Sequence, residues 1–263
     1  MRGDNGRLSG KVAIITGAST GTAPIMAKLF VEAGARVLLA ARREQLVLEA
    51  AAKAGPGAVG IRADLTSEED VRAMVARAIS EFGQVDILLN NAAAPGTDKY
   101  IWEQTLENWN ATIGIDLTAA MLCTREVLKR SMLERKSGSI VNFSSTAGWN
   151  GMQRKSHYVA AKAALRAFTK VVALEVGPHG IRCNCLVPGS IDTELWRSYG
   201  KRVAAEQGID FETWRAKRLQ DVPLRTISTP RDIANLALFL AGDESRTITG
   251  QSINCDAGAV MIG

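Results

Sequence analysis

The feature that most constrains the fold is a short apolar run that leads directly into a glycine-rich turn and then into a helical pattern. Lys11–Thr16 (KVAIIT) has the length and composition of a buried strand. It continues into TGASTGTA (16–23) and then into apolar residues at helical spacing, which stop at Gly34. Glycines permit a tight turn and a close approach of the backbone, and a helix N-terminus attracts negative charge. This order predicts a dinucleotide-binding loop, with contacts expected from Gly17, Ser19, Thr20, Gly21 and Thr22.

Short apolar runs and helical patterns alternate along the rest of the chain. Further strands are predicted at Arg36–Ala40, Val59–Ala63, Val85–Leu89, Ser139–Ser145, Ile181–Val187 and Gln251–Cys255, with the main later helices at Trp102–Arg130 (long and bent), Ser156–Val176 and Pro230–Ala241. This alternation is typical of an α/β fold with a doubly wound parallel sheet and helices on both faces. The 263 residues suit one domain, and no linker or repeat divides them. Residues 1–9 are polar and are expected to form a loose N-terminal arm.

The residues after the second predicted strand bear on which dinucleotide fits. An acid at this position accepts from the ribose 2′-OH of NAD, whereas an arginine accommodates the 2′-phosphate of NADP. Here Ala41 is followed by Arg42 and Arg43, and no acid is present. The pattern favours NADP(H), with NAD(H) as the alternative. The two arginines would also suit the solvated start of a helix that contains Glu44 and Glu49.

Other turns at the carboxyl ends of strands are expected to line the cofactor, because ligands of open α/β sheets bind there. Asp64 and Leu65 follow the third strand, where Asp64 is placed to accept from the adenine amino group and Ser67 to begin the next helix. Small residues follow the fourth strand, and the turn PGSIDT follows the sixth. The contacts expected there are Asn91, Ala92, Ala93, Pro188, Gly189, Ile191 and Thr193.

The reactive chemistry is concentrated in the stretch from Ser139 to Lys162, which runs from a strand through a glycine loop into a helix. Tyr158 and Lys162 are four residues apart on that helix, so their side chains share one face. A free phenol has a pKa of about 10, and a nearby ammonium group favours the phenolate. Ser145 is placed to hydrogen-bond the oxygen that Tyr158 protonates. These residues predict proton transfer to a carbonyl or from an alcohol, although Tyr and Lys at this spacing also occur on ordinary surface helices.

Residues 194–225 interrupt the alternation. The segment is polar, contains two glycines and carries Trp196, Tyr199, Phe211 and Trp214. Because it follows the sixth strand, it is placed to cover the edge of the sheet where ligands bind. We expect a helical lid in which Trp196 and Tyr199 contact the substrate. The alternative is a peripheral pair of helices whose aromatic residues only pack.

Composition limits the classes of partner. The net charge of +5 comes without a dense run of Lys and Arg, which gives little support for nucleic-acid binding. We find no apolar run long enough for a membrane span and no cleavable signal. The four cysteines lack CxxC pairing, and only two histidines are present, so no metal site is expected. We expect a reduced, cytoplasmic protein without a membrane partner.

With these residues in view, the chain resembles the classical short-chain dehydrogenase/reductase family from about Leu8 to Gly258. The matching pieces are TGASTGTA, Asp64, NNAA, Ser145, YVAAK and PGSIDT. The resemblance implies a Rossmann-type sheet of about seven strands, an NAD(P)(H) cofactor and a homotetramer or homodimer. It assigns Tyr158 as the catalytic acid/base, Lys162 as a ribose ligand that modulates the tyrosine, and Ser145 as the group that orients the carbonyl. Ser145 is preferred to Ser144 because its spacing to Tyr158 is that of the family.

Three departures from the family pattern stand out. Ala23 replaces the third glycine of the loop and is followed by Pro24, in a first helical turn where a missing N–H costs little. The family's NNAG motif ends here in Ala93. Asp116 replaces an asparagine that in the family holds a water linking the lysine to solvent. A carboxylate there is expected to keep Lys162 protonated and to oppose the phenolate, which shifts the pH optimum; Asp116 is therefore included among the catalytic residues.

The leading prediction is an oxidoreductase that transfers a hydride between NADP(H) and a carbonyl or secondary alcohol. A 3-oxoacyl thioester reductase is one candidate, because basic residues of the lid would suit an acidic carrier. Acidic residues of the same segment dilute that signal, so sugar, steroid and xenobiotic ketones are alternative substrates. One alternative is an NAD-dependent alcohol dehydrogenase of the same family. Another is a non-catalytic cofactor-binding sensor, against which the intact set of Ser145, Tyr158 and Lys162 argues.

Overall fold

One parallel sheet of seven strands organises the structure, a computed structural model that describes residues 6–261. Each neighbouring pair of strands is parallel, in the order β3-β2-β1-β4-β5-β6-β7. The strands are β1 (Val12–Thr16), β2 (Arg36–Ala41), β3 (Ala58–Arg62), β4 (Ile87–Asn90), β5 (Gly138–Phe143), β6 (Ile181–Pro188) and β7 (Ser252–Cys255). All seven predicted strands are present within two residues at each end, and the doubly wound α/β fold is confirmed.

Helices cover both faces of the sheet. They are α1 (Ala23–Glu32), α2 (Glu44–Ala54), α3 (Glu68–Phe82), α4 (Leu106–Ile113), α5 (Ala119–Val127), α6 (Leu133–Arg135), α7 (Ala147–Asn150), α8 (Ser156–Val176), α9 (Glu194–Glu206), α10 (Phe211–Leu219) and α11 (Pro230–Ala241). Helices α1, α2 and α11 share one apolar core with the sheet, and α3, α5 and α8 share the other. Each large apolar side chain buried there contributes about 1.5–3 kcal/mol. The strand order reverses between β1 and β4, which opens a crevice at their carboxyl ends.

The long helical region differs from the prediction. Trp102 lies in a separate 3₁₀ turn (Ile101–Glu103), and the continuous helical stretch begins at Leu106, where the Thr105 side chain accepts a hydrogen bond from Asn108 N–H. The stretch runs on through α5 and α6 with π-helical turns at Gly114–Thr118 and Leu128–Met132. A π turn admits an extra residue and re-aims side chains, often at functional sites. The first of these turns contains Asp116.

The prediction of a loose arm over residues 1–9 is wrong where the structure tests it. Residues 1–5 lie outside the described residues. Leu8 is fully buried between β1 and the helical layer, and its N–H donates to Ala33 O at 2.9 Å. Arg7 pairs with Glu244 at 2.7 Å. Burial of Leu8, the one large apolar residue in an otherwise polar stretch, anchors this part of the chain.

Residues 194–225 contain the two expected helices, α9 and α10, which pack against each other. Thr193 and Asp210 cap them by accepting from Trp196 N–H and Thr213 N–H. Within residues 6–261 no helix has both the length and the apolarity needed to cross a membrane.

Candidate active site

The glycine turn between β1 and α1 closely approaches the segment that follows β4. Gly17 and Gly21 have φ angles of +66° and +72°, a region that favours glycine. A Cβ atom on Gly17 would lie 2.5 Å from the Ala92 Cα atom, whereas the space beside Gly21 is open. Only glycine at position 17 allows the two backbones to meet, and the open side at Gly21 leaves room for a phosphate group.

Hydrogen bonds fix the floor of this turn. The Asn91 side-chain amide donates to Thr16 O at 3.0 Å, and the Thr22 hydroxyl donates to Asn91 Oδ1 at 3.3 Å. The Thr16 hydroxyl accepts from the N–H groups of Asn91 and Ala92 at 3.1 and 3.2 Å. The turn is thus held from beneath by β1 and by the end of β4, which leaves its upper surface to a ligand.

The two alanine departures are compatible with this geometry. Ala23 is the first residue of α1, and its methyl group is fully buried in the core. Ala93 is not among the non-glycine residues with positive φ. Neither position therefore requires glycine.

Arg43 lies across the glycine turn. Its Nη2 donates to Ser19 Oγ at 2.7 Å and to Thr20 Oγ1 at 3.0 Å. Helix α2 begins only after it, at Glu44. Arg43 thus brings a guanidinium and two hydroxyls together beside the end of β2, where the buried Ala41 supplies no carboxylate.

Asp64 and Leu65 have different environments after β3. Asp64 Oδ1 accepts from the N–H and the hydroxyl of Thr66 at 3.0 and 2.8 Å. These bonds, assisted by the charges of Arg42 and Arg62, hold the pKa of Asp64 below its ordinary value, so the carboxylate is ionised and Oδ2 can accept from an amino group. Leu65 is buried in the core, so only its backbone can meet a cofactor. Ser67 caps α3 as predicted.

The turn after β6 is held by close contacts. A Cβ atom on Gly189 would lie 2.7 Å from the Cβ atom of Asp256, and Ile191 pairs with Ser228 in a parallel bridge. Pro188 ends β6, and its carbonyl accepts from Thr146 N–H at 3.0 Å. The Thr193 hydroxyl oxygen accepts the hydrogen bond that caps α9, and its proton can donate to another partner.

Ser145 lies in the turn between β5 and α7, and Tyr158 and Lys162 lie on α8, which packs against both of these elements. Lys162 is 2% exposed; its Nζ donates to Phe143 O at 2.9 Å and lies 5.7 Å from the centroid of the Tyr158 ring. Ser144 Oγ is buried and donates to Lys162 O at 2.7 Å. Ser145 is partly exposed, and its Oγ accepts from Ala147 N–H at 3.2 Å, so its hydroxyl proton stays free to donate, whereas the Ser144 proton is already used.

Asp116 contacts the lysine directly. Its Oδ2 lies 3.3 Å from Lys162 Nζ in an ion pair without good hydrogen-bond geometry, and its Oδ1 accepts from Ala94 N–H at 2.6 Å. Burial raises the pKa of Asp116 above its ordinary value, because the cost of desolvation exceeds the stabilisation from Lys162 and Ala94 N–H. The carboxylate thus lies close enough to Lys162 to act on it directly, as its charge led us to expect.

The lid aromatics pack mainly on one another. Trp196 contacts Phe211 and Trp214 with ring centroids 5.9 and 5.3 Å apart, and Tyr199 lies 6.3 Å from Trp214. Gly200 sits against the rings of Phe211 and Trp214, where a Cβ atom would clash. For Trp196, Phe211 and Trp214, this arrangement matches the alternative in which the aromatic residues pack against one another. Tyr199 remains largely exposed.

Sequence reasoning missed two sets of supporting residues. His157, directly before Tyr158, is fully buried and bonds to the segment after β4. Trp149 donates to Asn254 Oδ1 at 3.1 Å and is covered by the Arg166 guanidinium, which fixes the loop after Ser145. A histidine beside the reactive tyrosine was the one available signal. In the described part of the chain, no group of three or more His, Cys, Asp or Glu side chains could hold a metal ion.

The fold and the site together define a Rossmann-type, nicotinamide-dependent oxidoreductase. A family model described as enoyl-(acyl carrier protein) reductase matches residues 17–260. The chain is 35% identical to the 3-oxoacyl-[acyl-carrier-protein] reductase FabG of Chlamydia muridarum, over 97% of this chain and 99% of the relative. It is 34% identical to the 2,5-dichloro-2,5-cyclohexadiene-1,4-diol dehydrogenase of Sphingobium indicum, over 97% and 99% of the two chains.

A solved structure supports the same assignment. The crystal structure of an NAD+-bound xylitol dehydrogenase superposes with a TM-score of 0.88 at 28% sequence identity, over 95% of this chain and 99% of that one. The chain belongs to the classical short-chain dehydrogenase/reductase family. It is a hydride-transfer oxidoreductase that acts on CH–OH or carbonyl groups with a nicotinamide cofactor.

Proposed function

We propose that the protein is an NADP(H)-dependent reductase of carbonyl compounds, with 3-oxoacyl thioesters as the leading substrate class. The observation that carries the choice of cofactor is the position of Arg43, which bonds to Ser19 and Thr20 beside the end of β2, where Ala41 leaves no acid. A 2′-phosphate would receive a guanidinium and two hydroxyl donors there, and a carboxylate able to hold a 2′-OH is missing at that position.

The chain's own residues divide the remaining work. When bound, the dinucleotide supplies or accepts the hydride. Tyr158 donates a proton to the carbonyl oxygen in reduction and takes it back in oxidation, and Ser145 holds that oxygen through its free hydroxyl proton. Lys162 Nζ donates one N–H to Phe143 O and lies beside the Asp116 carboxylate. A further N–H of the ammonium group can therefore reach the ribose. The turns at Asp64, at Asn91–Ala93 and at 188–193 line the rest of the cofactor.

The charge of the lid supports a thioester carried on an acidic protein. Arg202 and Arg215 pair with Glu206 and Glu212 on the same helices. Lys201, Lys217 and Arg218 form no salt bridge within the described residues, and neither do Glu194, Asp210 and Asp221. With seven basic and five acidic side chains, residues 194–225 keep a small excess of positive charge. Similarity to a 3-oxoacyl-[acyl-carrier-protein] reductase agrees with this substrate class.

A second candidate is an NAD-dependent alcohol dehydrogenase of the same family. It is favoured by the structural similarity to an NAD+-bound xylitol dehydrogenase and by the diol dehydrogenase among the relatives. A polyol or cyclic diol would then replace the thioester, with Tyr158 accepting the proton.

Fluorescence titration of the protein with NADPH and with NADH separates the two candidates. We expect tighter binding of NADPH, and a loss of about 10–100-fold in its affinity on Arg43→Ala, because a charge-assisted hydrogen bond contributes about 1.5–3 kcal/mol. NADH binding should change little. Arg77→Ala, which removes the same charge from the exposed face of α3, is the matched control. Equal or tighter binding of NADH would refute the NADP(H) proposal. Binding of neither dinucleotide would refute the proposal that the protein is a nicotinamide-dependent reductase.

We further propose a homotetramer or homodimer in the cytoplasm. Val171 and Leu174 of α8 are 52% and 79% exposed, an apolar surface that a second copy would cover. All four cysteines are free thiols, as expected for a reducing compartment. Light scattering should give a mass of two or four chains; a monomer that persists at high protein concentration would refute the assembly.

A further inference from the structure

His157 joins the helix that carries Tyr158 to the segment between β4 and α4. The imidazole is fully buried in the first turn of α8. Its Nε2 lies 3.1 Å from Pro95 O, and its Nδ1 lies 2.7 Å from Gln104 Nε2. One ring thus contacts both ends of residues 95–104, which we call the β4–α4 segment.

The surrounding hydrogen bonds determine which nitrogen of His157 carries the proton. Thr97 N–H donates to Asn108 Oδ1 at 2.9 Å, so the Asn108 amide nitrogen is the donor to Gln104 Oε1 at 2.7 Å. Thr105 N–H also donates to Gln104 Oε1. Gln104 therefore presents its NH₂ group to His157 Nδ1, which must accept. Pro95 O can only accept, so Nε2 must donate, and both sides require the neutral Nε2–H tautomer.

The first turn of α8 has no side-chain cap. Lys155 occupies the N-cap position of α8 without a side-chain hydrogen bond, whereas hydroxyl or carboxylate side chains cap α3, α4, α9, α10 and α11. The first N–H groups of a helix lack partners inside it, and uncapped ends fray first. Tyr158 is the third residue of α8. Its position therefore depends on contacts made by its neighbours.

Several of those contacts are made with the β4–α4 segment. Lys155 pairs with Asp98, and Lys99 N–H donates to Arg154 O at 3.0 Å. Just before the segment, Ala94 N–H donates to Asp116, which pairs with Lys162. A Cβ atom on Gly96 would collide with His157 Nε2, so the backbone can approach the ring this closely only at glycine. The same stretch of chain thus holds both the tyrosine end and the lysine end of the site.

We propose that His157, as the neutral Nε2–H tautomer, is a positioning residue that fixes the place of Tyr158 relative to the substrate carbonyl. The inference rests on the proposed function, in which Tyr158 moves the proton. His157 itself touches neither substrate nor cofactor; it acts through the first turn of α8. Its loss affects the chemical step and leaves the glycine turn intact, because that turn is held separately by Asn91 and Thr16.

Kinetics of His157 variants test the positioning role. A displacement of about 1 Å costs about 100-fold in rate, so His157→Ala should lower kcat by about 10–100-fold per folded site while the NADPH affinity stays within about twofold. His157→Gln can still donate to Pro95 O, and His157→Asn can still accept from Gln104, so each should recover part of kcat. Gly96→Ala should resemble His157→Ala. His179→Gln, an exposed histidine in the 3₁₀ turn Gly177–His179, is the matched control and should behave as wild type. An unchanged kcat in folded His157→Ala would overturn the proposal.

Nitrogen-15 NMR of the two imidazoles tests the tautomer without turnover. His179→Gln leaves a single histidine and so assigns the signals. We expect His157 to show a protonated Nε2 and an unprotonated Nδ1 at neutral pH, and Gly96→Ala to disturb this pattern. A protonated Nδ1 in wild type would overturn the proposal. If wild type reduces no substrate, the proposed function fails, and these spectra alone decide whether His157 holds the β4–α4 segment.

Discussion

Replacement of Asp116 by asparagine tests the electrostatics of the site. The variant keeps the shape of the side chain and the acceptor for Ala94 N–H and removes one negative charge. The distances from Asp116 Oδ2 to Lys162 Nζ (3.3 Å) and from that atom to the Tyr158 ring centroid (5.7 Å) together place the carboxylate no more than about 9 Å from the ring. At an effective dielectric constant of about 20, this separation corresponds to about 1.8 kcal/mol of repulsion towards a phenolate.

Partial exposure of Tyr158 to solvent screens this repulsion below that figure. Because the phenolate is favoured once the negative charge is removed, we expect Asp116→Asn to move the pH–rate profile for alcohol oxidation toward lower pH. The assay is kcat against pH at saturating cofactor. Glu107→Gln, which removes an exposed charge from α4, is the control and should leave the profile in place. An unchanged profile for Asp116→Asn, or a shift upward, would refute this role.

Stability provides a second readout for the same variant. Burial raises the pKa of Asp116 in the folded protein, so the native state binds this proton more tightly than the unfolded chain does. The ionised carboxylate therefore costs stability increasingly as the pH rises through the native pKa. Denaturant titrations should show Asp116→Asn gaining stability relative to wild type from acidic to neutral pH. A difference that does not vary with pH would contradict the assignment.

Two further predictions concern the glycine turn and α11. Gly17→Ala should abolish measurable binding of either dinucleotide, because the new methyl group would lie 2.5 Å from Ala92 Cα; titration by cofactor fluorescence with Gly21→Ala as a comparison tests this, and retained affinity would refute the close approach. Asp232→Asn should destabilise the protein by about 1 kcal/mol at neutral pH through loss of the capping box with Thr229. Hydrogen bonds from Thr229 hold the pKa of Asp232 below its ordinary value, so its stabilisation is present above about pH 4 and is lost as the pH falls through the native pKa. Thermal melts at several pH values should show the difference from wild type vanishing in acid; a constant difference would contradict it.

The sequence predicted the sheet well because each strand is a short apolar run between turn signals. It also predicted α8 and α11 to the residue, since Val176 is followed by Gly-Pro and Pro230 opens a capped helix. The long helical region was placed four residues too early, because apolar residues at helical spacing do not reveal that Thr105 caps the helix. The burial of Leu8 was missed because a single apolar residue in a polar stretch gives no periodic pattern from which a helix or strand could be predicted.

Side-chain direction explains the remaining differences at the site. Arg43 lies 24 residues from Ser19 along the chain, and only the parallel pairing of β1 and β2 brings them together. The direct contact of Asp116 with Lys162 depends on a π-helical turn that no residue pattern announces. The packing of Trp196 against α10 required the geometry of the helix pair. The role of His157 required the whole hydrogen-bond chain through Gln104 and Asn108.

The most direct test of the account is turnover by Tyr158→Phe. The variant removes only the hydroxyl group that we assign to proton transfer. The assay uses NADPH with a panel of ketones and 3-oxoacyl thioesters, and we expect wild type to consume the cofactor. The kcat of Tyr158→Phe should fall by about 100-fold to 10,000-fold, the contribution of general acid–base catalysis. Its NADPH affinity should stay close to wild type. A variant that turns over as fast as wild type would contradict the central claim that Tyr158 moves the proton.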